Sequence, residues 1–234
     1  ESALFFHAGR GRALLKASMD DEGSVLEVTT IVNDGARNYH VRSSPDGSRI
    51  AFDSDRDGER AVYVATRDGG NLRRISGPGY AAVPAWSPDS TRLAFIRAEP
   101  GRPQVWNVWT AEIGTGELRR LTSHSIGQAW GGSWFPDNRR LAYSHEDRLL
   151  VLDTVTGEER VFPSPVTGRL VRTPAVSPDG RSVVFQVFRQ GTWLLDLSDG
   201  TMKHILEDPS AEEFAWSPDG RRIAFHSRRS GAWG

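Results

Sequence analysis

A short acidic stretch is the first candidate for metal chemistry in this sequence. The stretch DSDRDG places Asp53, Asp55 and Asp57 at alternate positions. Alternating carboxylates form the first half of a calcium-binding loop, in which they face one ion. The twelfth position, however, is Val64 instead of Glu, and Arg56 adds a positive charge to the loop. The stretch therefore favours a hairpin turn, and calcium bound by the three Asp carboxylates is the weaker alternative.

The usual signatures of a catalytic site do not occur in the sequence. The six histidines show no H-E-x-x-H or other metal-binding spacing, and there is no cysteine to act as nucleophile. The stretch GGSWF at residues 131–135 lacks the last glycine of a G-x-S-x-G nucleophile elbow. We therefore expect no catalytic residue, no cofactor and no enzymatic activity in this chain.

Composition restricts the classes of partner. The chain has 234 residues and a formal net charge of −1, so no field of one sign points to nucleic acid. The paired arginines, such as Arg119-Arg120, are balanced by 30 acidic residues. No apolar run reaches the ~18 residues of a membrane-spanning helix. We expect neither nucleic-acid binding nor a membrane span.

One short turn recurs five times along the chain. Its prolines are Pro45, Pro88, Pro136, Pro178 and Pro218. In the sequence S-P-D-G, proline presets φ, aspartate bonds nearby backbone, and glycine adopts the left-handed angle that closes a hairpin. Asn138 suits that left-handed position, whereas Ser90 should cost about 1 kcal/mol there. The spacing of about 40 to 48 residues is the period of a four-stranded propeller blade.

The segments between these turns predict short β-strands. Apolar runs such as Ile50-Ala51-Phe52 and Ala61-Val62-Tyr63-Val64 alternate with Gly-bearing turns, and helical periodicity is absent. We count five first, six second, five third and five fourth strands. This inventory favours five blades with one blade shared by the chain ends. The alternative is a six-bladed, incomplete propeller; in either case residues 1–234 should form one domain.

Two further positions recur with the turn. Trp86, Trp134 and Trp216 lie two residues before the motif proline, where we expect them to pack between neighbouring blades. Eight residues after the proline the chain has residues of very different polarity. We interpret this second position as a partly exposed strand end. Its members, with His7 at the matching place near the N-terminus, are Asp53, Ile96, Ser144, Gln186 and His226.

The repeat resembles that of the TolB-type β-propellers, a WD40-like repeat also called PD40. Residues 44–76, SPDGSRIAFDSDRDGERAVYVATRDGGNLRRIS, follow the family pattern almost throughout. The resemblance implies an all-β propeller of four-stranded blades and a bacterial, periplasmic or otherwise extracytoplasmic protein with a protein partner; a cytoplasmic location is the alternative. The additional N-terminal domain of TolB has no counterpart in this sequence. Because the repeat occurs in proteins with different activities, it says little about function.

The residues that lead into the first strands are the candidates for binding. They should lie at the mouth of the central channel, and they differ between repeats although the framework does not. Aromatic and Arg side chains there suit a binding surface. These candidates are Tyr39, His40, Arg42, Tyr80, Gln128, Trp130, Arg172, Glu212 and Glu213.

The sequence thus favours a non-catalytic module that binds a protein or peptide at its channel mouth. One alternative is the propeller cap of a prolyl-oligopeptidase-like hydrolase. Another is a metal-dependent lyase, or a propeller that binds a small molecule or glycan.

Overall fold

The computed structural model describes residues 2–8, 13–20, 22 and 24–231 of the chain. These residues form antiparallel β-strands and no helix, which confirms the all-β prediction. Consequently no described segment is a helix with the length and hydropathy needed to cross a bilayer.

The described strands match the predicted inventory in number and order. The first strands are β4 (Asn38–Ser43), β8 (Ala81–Trp86), β12 (Ala129–Trp134), β16 (Val171–Val176) and β20 (Glu212–Trp216). The second strands are β1 (Ser2–Ala8), β5 (Arg49–Ser54), β9 (Arg92–Glu99), β13 (Arg140–His145), β17 (Ser182–Val187) and β21 (Ile223–His226). The third strands are β2 (Ala13–Met19), β6 (Ala61–Thr66), β10 (Arg102–Glu112), β14 (Arg148–Asp153) and β18 (Gly191–Asp196). The fourth strands are β3 (Val25–Val32), β7 (Arg73–Arg74), β11 (Leu118–Arg120), β15 (Glu159–Pro163) and β19 (Met202–Leu206).

The strands pair into four-stranded sheets with neighbours in chain order. β4–β7, β8–β11, β12–β15 and β16–β19 are complete four-stranded sheets. β1–β3 form a three-stranded sheet and β20–β21 a separate two-stranded one among the described residues. The number of blades stays a prediction.

The chain divides into two compact units. The first comprises Glu1–Pro103 with Trp109–Arg119, and the second comprises Gln104–Val108 with Arg120–Gly234. In the first unit, Phe52 and Tyr63 belong to one buried cluster and Leu93 and Phe95 to another. In the second unit, Phe185 belongs to a buried cluster with Phe135 and Leu195. The assignment of the whole chain to one domain stays a prediction.

The repeated turn has the geometry that its residues predict. Ser44 Oγ donates to Asp46 Oδ1 at 2.5 Å, while Asp46 Oδ1 also accepts from the backbone N–H of Ser48 at 3.0 Å. The left-handed residue has a φ of 70° at Gly47, 61° at Ser90 and 57° at Asn138. Ser90 has a compensating contact, because its Oγ accepts from the backbone N–H of Asp46 at 3.1 Å. Bonds within each turn therefore stabilise it, and the turns at Asp46 and Ser90 are also bonded to each other.

Two of the motif tryptophans connect consecutive repeats. The Trp86 side chain is 8% exposed, and its indole N–H donates to the backbone oxygen of Arg42 at 3.1 Å. Trp216 makes the equivalent bond to the backbone oxygen of Ala175 at 3.0 Å. A buried indole N–H needs an acceptor, and the preceding first strand supplies it. These contacts agree with the predicted packing between neighbouring blades.

Every first strand contains a bulge around a left-handed residue that the sequence analysis did not anticipate. The residue five places before each motif proline has a positive φ, and the pairing register shifts there. The five residues and angles are His40 (44°), Val83 (58°), Gly131 (59°), Thr173 (47°) and Glu213 (57°). This conformation is unfavourable for β-branched residues such as valine and threonine. The bulge redirects the chain at the strand entrance, where the predicted binding residues lie.

Candidate functional site

The position eight residues after the motif proline is buried, which corrects the interpretation as a partly exposed strand end. Asp53 and Ser144 have no exposed surface, Ile96 is 1% exposed and Gln186 is 3% exposed. His226 alone is exposed among the described side chains at this position. The side chain of His7 lies outside the described residues. The polar residues at this position have different partners: Ser144 Oγ donates to the backbone oxygen of Trp130 at 3.3 Å, and Gln186 Nε2 donates to that of Ala211 at 2.8 Å.

In the first unit this position organises a charged cluster that we call the Asp53 cluster: Tyr39, His40, Asp53, Arg60 and Tyr80. Asp53 Oδ1 lies 2.8 Å from His40 Nδ1, and Arg60 Nε donates to Asp53 Oδ2. The Arg60 guanidinium lies 4.0 Å from the ring centroid of Tyr39, and its Nη1 donates to the hydroxyl of Tyr80 at 3.5 Å. The structure therefore brings three of the predicted binding residues together around a buried ion pair.

The charges of this cluster stabilise the ionised Asp53. Burial alone raises the pKa of the Asp53 carboxyl, but the charge of His40, its hydrogen bond and Arg60 more than offset this. The pKa of Asp53 therefore lies below its ordinary value. Burial also raises the pKa of the nearby Tyr80 hydroxyl.

The ring of His40 has two alternative partners on one nitrogen. Its Nδ1 can donate to Asp53 Oδ1 only when it carries a hydrogen. The same atom lies 3.1 Å from Arg60 Nη2 and can accept from it only without that hydrogen. The two bonds are mutually exclusive, so the tautomer of His40 decides which neighbour it binds.

The three carboxylates of the possible calcium loop have separate partners. Asp53 is paired with His40 and Arg60. Asp55 Oδ1 accepts from the backbone N–H of Arg37 at 2.8 Å, and Asp57 Oδ2 accepts from the hydroxyl of Tyr63 at 2.6 Å. In the described part of the chain, no three His, Asp or Glu side chains form a group that could hold a metal ion. The acidic stretch forms hairpin and strand contacts in this structure.

In the second unit the predicted residues Trp130 and Arg172 meet in a group that we call the Arg172 cluster: Trp106, Trp130, Arg172 and Phe188. The Arg172 guanidinium lies 5.0 Å from the ring centroid of Trp130 and 4.2 Å from that of Phe188. The rings of Trp106 and Trp130 are 5.0 Å apart at 56°. All four side chains are partly buried. Burial lowers the pKa of Arg172, which the charge of Glu212 partly opposes.

The other predicted residues have more local contacts. Glu212 is partly buried, and this burial, with the charge of Glu213, raises the pKa of its carboxyl. Gln128 forms a parallel bridge with Trp106, and its backbone N–H donates to Glu146 Oε1 at 2.9 Å. Arg42 is exposed, and its Nη1 donates to the backbone oxygen of Val41 at 3.2 Å. Whether the Asp53 and Arg172 clusters line one channel mouth stays a prediction.

Two histidines form a stacked pair outside the predicted site. The rings of His124 and His145 lie 3.7 Å apart at 8°, and His124 Nε2 lies 3.1 Å from the Tyr143 hydroxyl. Burial, followed by the charges of His145 and Arg148, lowers the pKa of His124 to about 4. The ring of His124 is therefore neutral near pH 7, which suits packing against the ring of His145.

One pocket of the first unit contains no residue of either cluster. This pocket in the first unit has a volume of ≈ 480 Å³ and is lined by polar residues that include Lys16, Ser48 and Asp68. It contains none of the predicted binding residues. We treat the two clusters as separate candidate sites, because each brings charged and aromatic side chains together.

Arg60, Phe188 and Trp106 belong to these clusters although they were not among the residues predicted from the sequence. Arg60 immediately precedes β6, Phe188 immediately follows β17, and Trp106 lies within β10. None of the three belongs to a first strand. Counting back from the motif prolines therefore could not identify them. An antiparallel pairing of the predicted first and second strands, however, would have placed the end of β17 and thus Phe188 near Arg172.

The chain is similar to several known proteins. It is 31% identical to a TolB homologue of Chlorobium luteolum over 165 residues, which cover 68% of this chain and 36% of that protein. It is 28% identical to the uncharacterized peptidase YuxL of Bacillus subtilis over 151 residues, covering 64% of this chain and 22% of the peptidase. The crystal structure of TolB from Acinetobacter baumannii superposes with a TM-score of 0.80 at 17% identity, over 99% of this chain and 59% of that one.

These similarities confirm the fold and the predicted family. The chain spans about a third of the length of the curated TolB homologues it matches. Its four-stranded antiparallel sheets are those of a TolB-like β-propeller. Residues 22–161 match PD40, the TolB beta propeller domain. The chain belongs to the TolB beta propeller domain family.

Proposed function

We propose that this chain is a non-catalytic binding module that presents the entrances of its first strands to a protein or peptide partner. The framework repeats from one sheet to the next, whereas the residues at these entrances differ. Short loops held by rigid sheets lose little freedom on binding, so aromatic and Arg side chains there can act as anchors.

The observation that supports this function best is the recurring left-handed residue in the bulge of each first strand. Valine and threonine at Val83 and Thr173 adopt this conformation at a cost in stability, with φ of 58° and 47°. The predicted binding residues His40 and Glu213 occupy the same position, and Trp130 and Arg172 directly precede it. Strained backbone that positions variable side chains is typical of binding sites.

Site-specific photo-crosslinking tests this function with a substitution that keeps an aromatic ring at the binding surface. A photoreactive phenylalanine analogue replaces Trp130 in one variant and the exposed Val155 in the control variant. The purified variants are irradiated in an extract of the cells that make the protein, and crosslinked proteins are identified by mass spectrometry. We expect a specific crosslinked partner from position 130 and none from position 155. Identical crosslinks from both positions, or none from position 130, would contradict the proposal.

We also propose a periplasmic or otherwise extracytoplasmic location, with the cytoplasm as the alternative. The family supports it, and a chain without cysteine suits an oxidising compartment. Fractionation of cells followed by immunodetection would test the location. Recovery in the cytoplasmic fraction would contradict it.

A second candidate is the propeller domain of a prolyl-oligopeptidase-like hydrolase. The similarity to the Bacillus subtilis peptidase favours it, because the matched region is 22% of that protein and leaves room for a separate catalytic domain. The gene on both sides of this sequence distinguishes the two functions. We expect no adjoining domain with a G-x-S-x-G motif; finding one would favour the hydrolase.

A further inference from the structure

Several buried polar atoms without hydrogen-bond partners belong to Arg172 and to residues adjacent to it in the chain or the sheet, and others lie on Arg67, Trp109 and Trp193. In the described residues, four such atoms are Arg172 Nε, Thr173 Oγ1, Gln186 Oε1 and Thr192 Oγ1. Arg172 lies opposite Gln186 in the pairing of β16 with β17, and Gln186 lies opposite Thr192 in the pairing of β17 with β18. These residues therefore form one row across three strands. A buried polar group without a partner is unfavourable by about 1–3 kcal/mol. Gln186 and Thr192 are 3% and 2% exposed, whereas Arg172 is only partly buried, so Arg172 is the member of this row that a ligand can reach.

The side chain of Arg172 is held in place without using its hydrogen-bond donors. Trp130 and Phe188 contact the cation through their rings at 5.0 Å and 4.2 Å. Within the described part of the chain, the guanidinium of Arg172 has no hydrogen bond and no ion pair. A guanidinium carries five N–H donors in one plane, and cation–π contacts leave these donors unsatisfied. Arg172 is therefore a positioned cation whose donors await an acceptor.

The charges around Arg172 restrict the kind of acceptor. Glu212 is close enough to act on the charge of Arg172, although the two side chains form no ion pair. Burial, followed by the charge of the neighbouring Glu213, raises the pKa of the Glu212 carboxyl. A dianionic phosphate would be repelled by these carboxylates more strongly than a monoanionic carboxylate. A carboxylate also matches the fork of the guanidinium in a bidentate pair.

We propose that Arg172 binds an acidic side chain, aspartate or glutamate, of the peptide partner. Trp130 and Phe188 then pack against the partner residues on either side of that acid. This inference rests on the proposed function, since it specifies which chemistry of a partner the module recognises. Glu212 weakens the binding of this acidic residue by repulsion.

Selection from a random peptide library displayed on phage tests the recognition. The wild-type chain, Arg172→Gln and Glu212→Gln serve as baits, with circular dichroism melts to establish that each variant is folded. We expect wild-type bait to enrich peptides that share an aspartate or glutamate, and Arg172→Gln to lose this preference. Enriched peptides without a shared acidic residue would overturn the inference and leave the proposed function intact. Failure of the wild-type bait to enrich any peptide would overturn both.

Affinity measurements on a selected peptide then identify the contact. Replacing the shared acid of the peptide by its amide should weaken binding to the wild type about tenfold or more, and leave binding to Arg172→Gln unchanged. Glu212→Gln should bind the acidic peptide more tightly than the wild type. Arg172→Lys, which keeps the charge, covers the case in which Arg172→Gln does not fold, and it should retain only part of the affinity. If replacing the shared acid by its amide weakened binding to the wild type and to Arg172→Gln equally, the inference would be overturned. Loss of binding when the peptide C-terminus is amidated would also overturn it, because the ligand of Arg172 would then be a terminal carboxylate.

Discussion

The carboxylate of Asp53 accepts a hydrogen bond at 3.1 Å from the backbone N–H of Val83, which lies 30 residues further along the chain. Val83 is the left-handed residue of the next first strand, β8. The same carboxylate binds His40, the left-handed residue of β4. One buried side chain thus connects the strained positions of two consecutive repeats.

This connection makes Asp53 a strong determinant of stability. Asp53→Ala should lower the free energy of unfolding by about 3–5 kcal/mol, because it leaves the charge of Arg60 without its buried partner. Chemical denaturation followed by circular dichroism measures the change. Glu59→Ala, an exposed acid beside Arg60, is the matched control and should change the free energy of unfolding by less than about 0.5 kcal/mol. Equal effects of the two substitutions would contradict the assigned role of Asp53.

The bulge in β12 should not accept a side chain at its glycine. Gly131 has a φ of 59°, and a Cβ atom there would lie 3.3 Å from Pro174 Cδ. Gly131→Ala should therefore destabilise the protein by about 1–2 kcal/mol, mainly through the left-handed backbone. Gly114→Ala is the control, because Gly114 has open space around it and no positive φ. A neutral Gly131→Ala in thermal denaturation would show that the bulge relaxes easily.

The serine of the repeated turn should contribute to stability wherever it is buried. Ser177 Oγ donates to Asp179 Oδ1 at 2.6 Å and accepts from the backbone N–H of Ser182 at 3.0 Å. Ser177→Ala removes both bonds and should cost about 1–3 kcal/mol, since a buried backbone donor loses its partner. The exposed Ser123→Ala is the control, with no comparable change expected. Similar melting temperatures for the two variants would contradict this prediction.

The lowered pKa of His124 predicts a loss of stability in mild acid. The pKa is about 4 in the folded protein, against an ordinary value of 6.5. Between these values the unfolded chain binds the proton and the folded protein does not, so the free energy of unfolding falls as the pH decreases from 6.5 to 4. Below pH 4 both states are protonated at this residue, and its contribution stays constant.

Denaturation curves between pH 4 and 7 test this linkage. The variant His124→Gln should show a flatter dependence of the free energy of unfolding on pH over this range than the wild type. Parallel curves for the two proteins would assign the acid sensitivity to other groups.

Interactions within a few residues were readable from the sequence. The turn around Pro45 depends on the φ of proline, the bonds of Asp46 to adjacent backbone and the left-handed Gly47, all within one short segment. The strand inventory followed from the same turns and the apolar runs between them. The choice of Trp130 and Arg172 as binding residues relied only on their distance from the motif proline, and the structure brings these two together.

Tertiary structure decided what the ambiguous residues do. Asp53 belongs to an acidic stretch that is locally compatible with calcium binding, yet it is buried, and its partners Arg60, His40 and Val83 come from other segments of the chain. The left-handed bulges were not evident either, since four of the five residues are not glycine. Turn chemistry is a short-range property that the amino-acid sequence determines directly. Burial of a charge and strain in a strand depend on partners distant in sequence, and only the pairing of the strands brings those partners into contact.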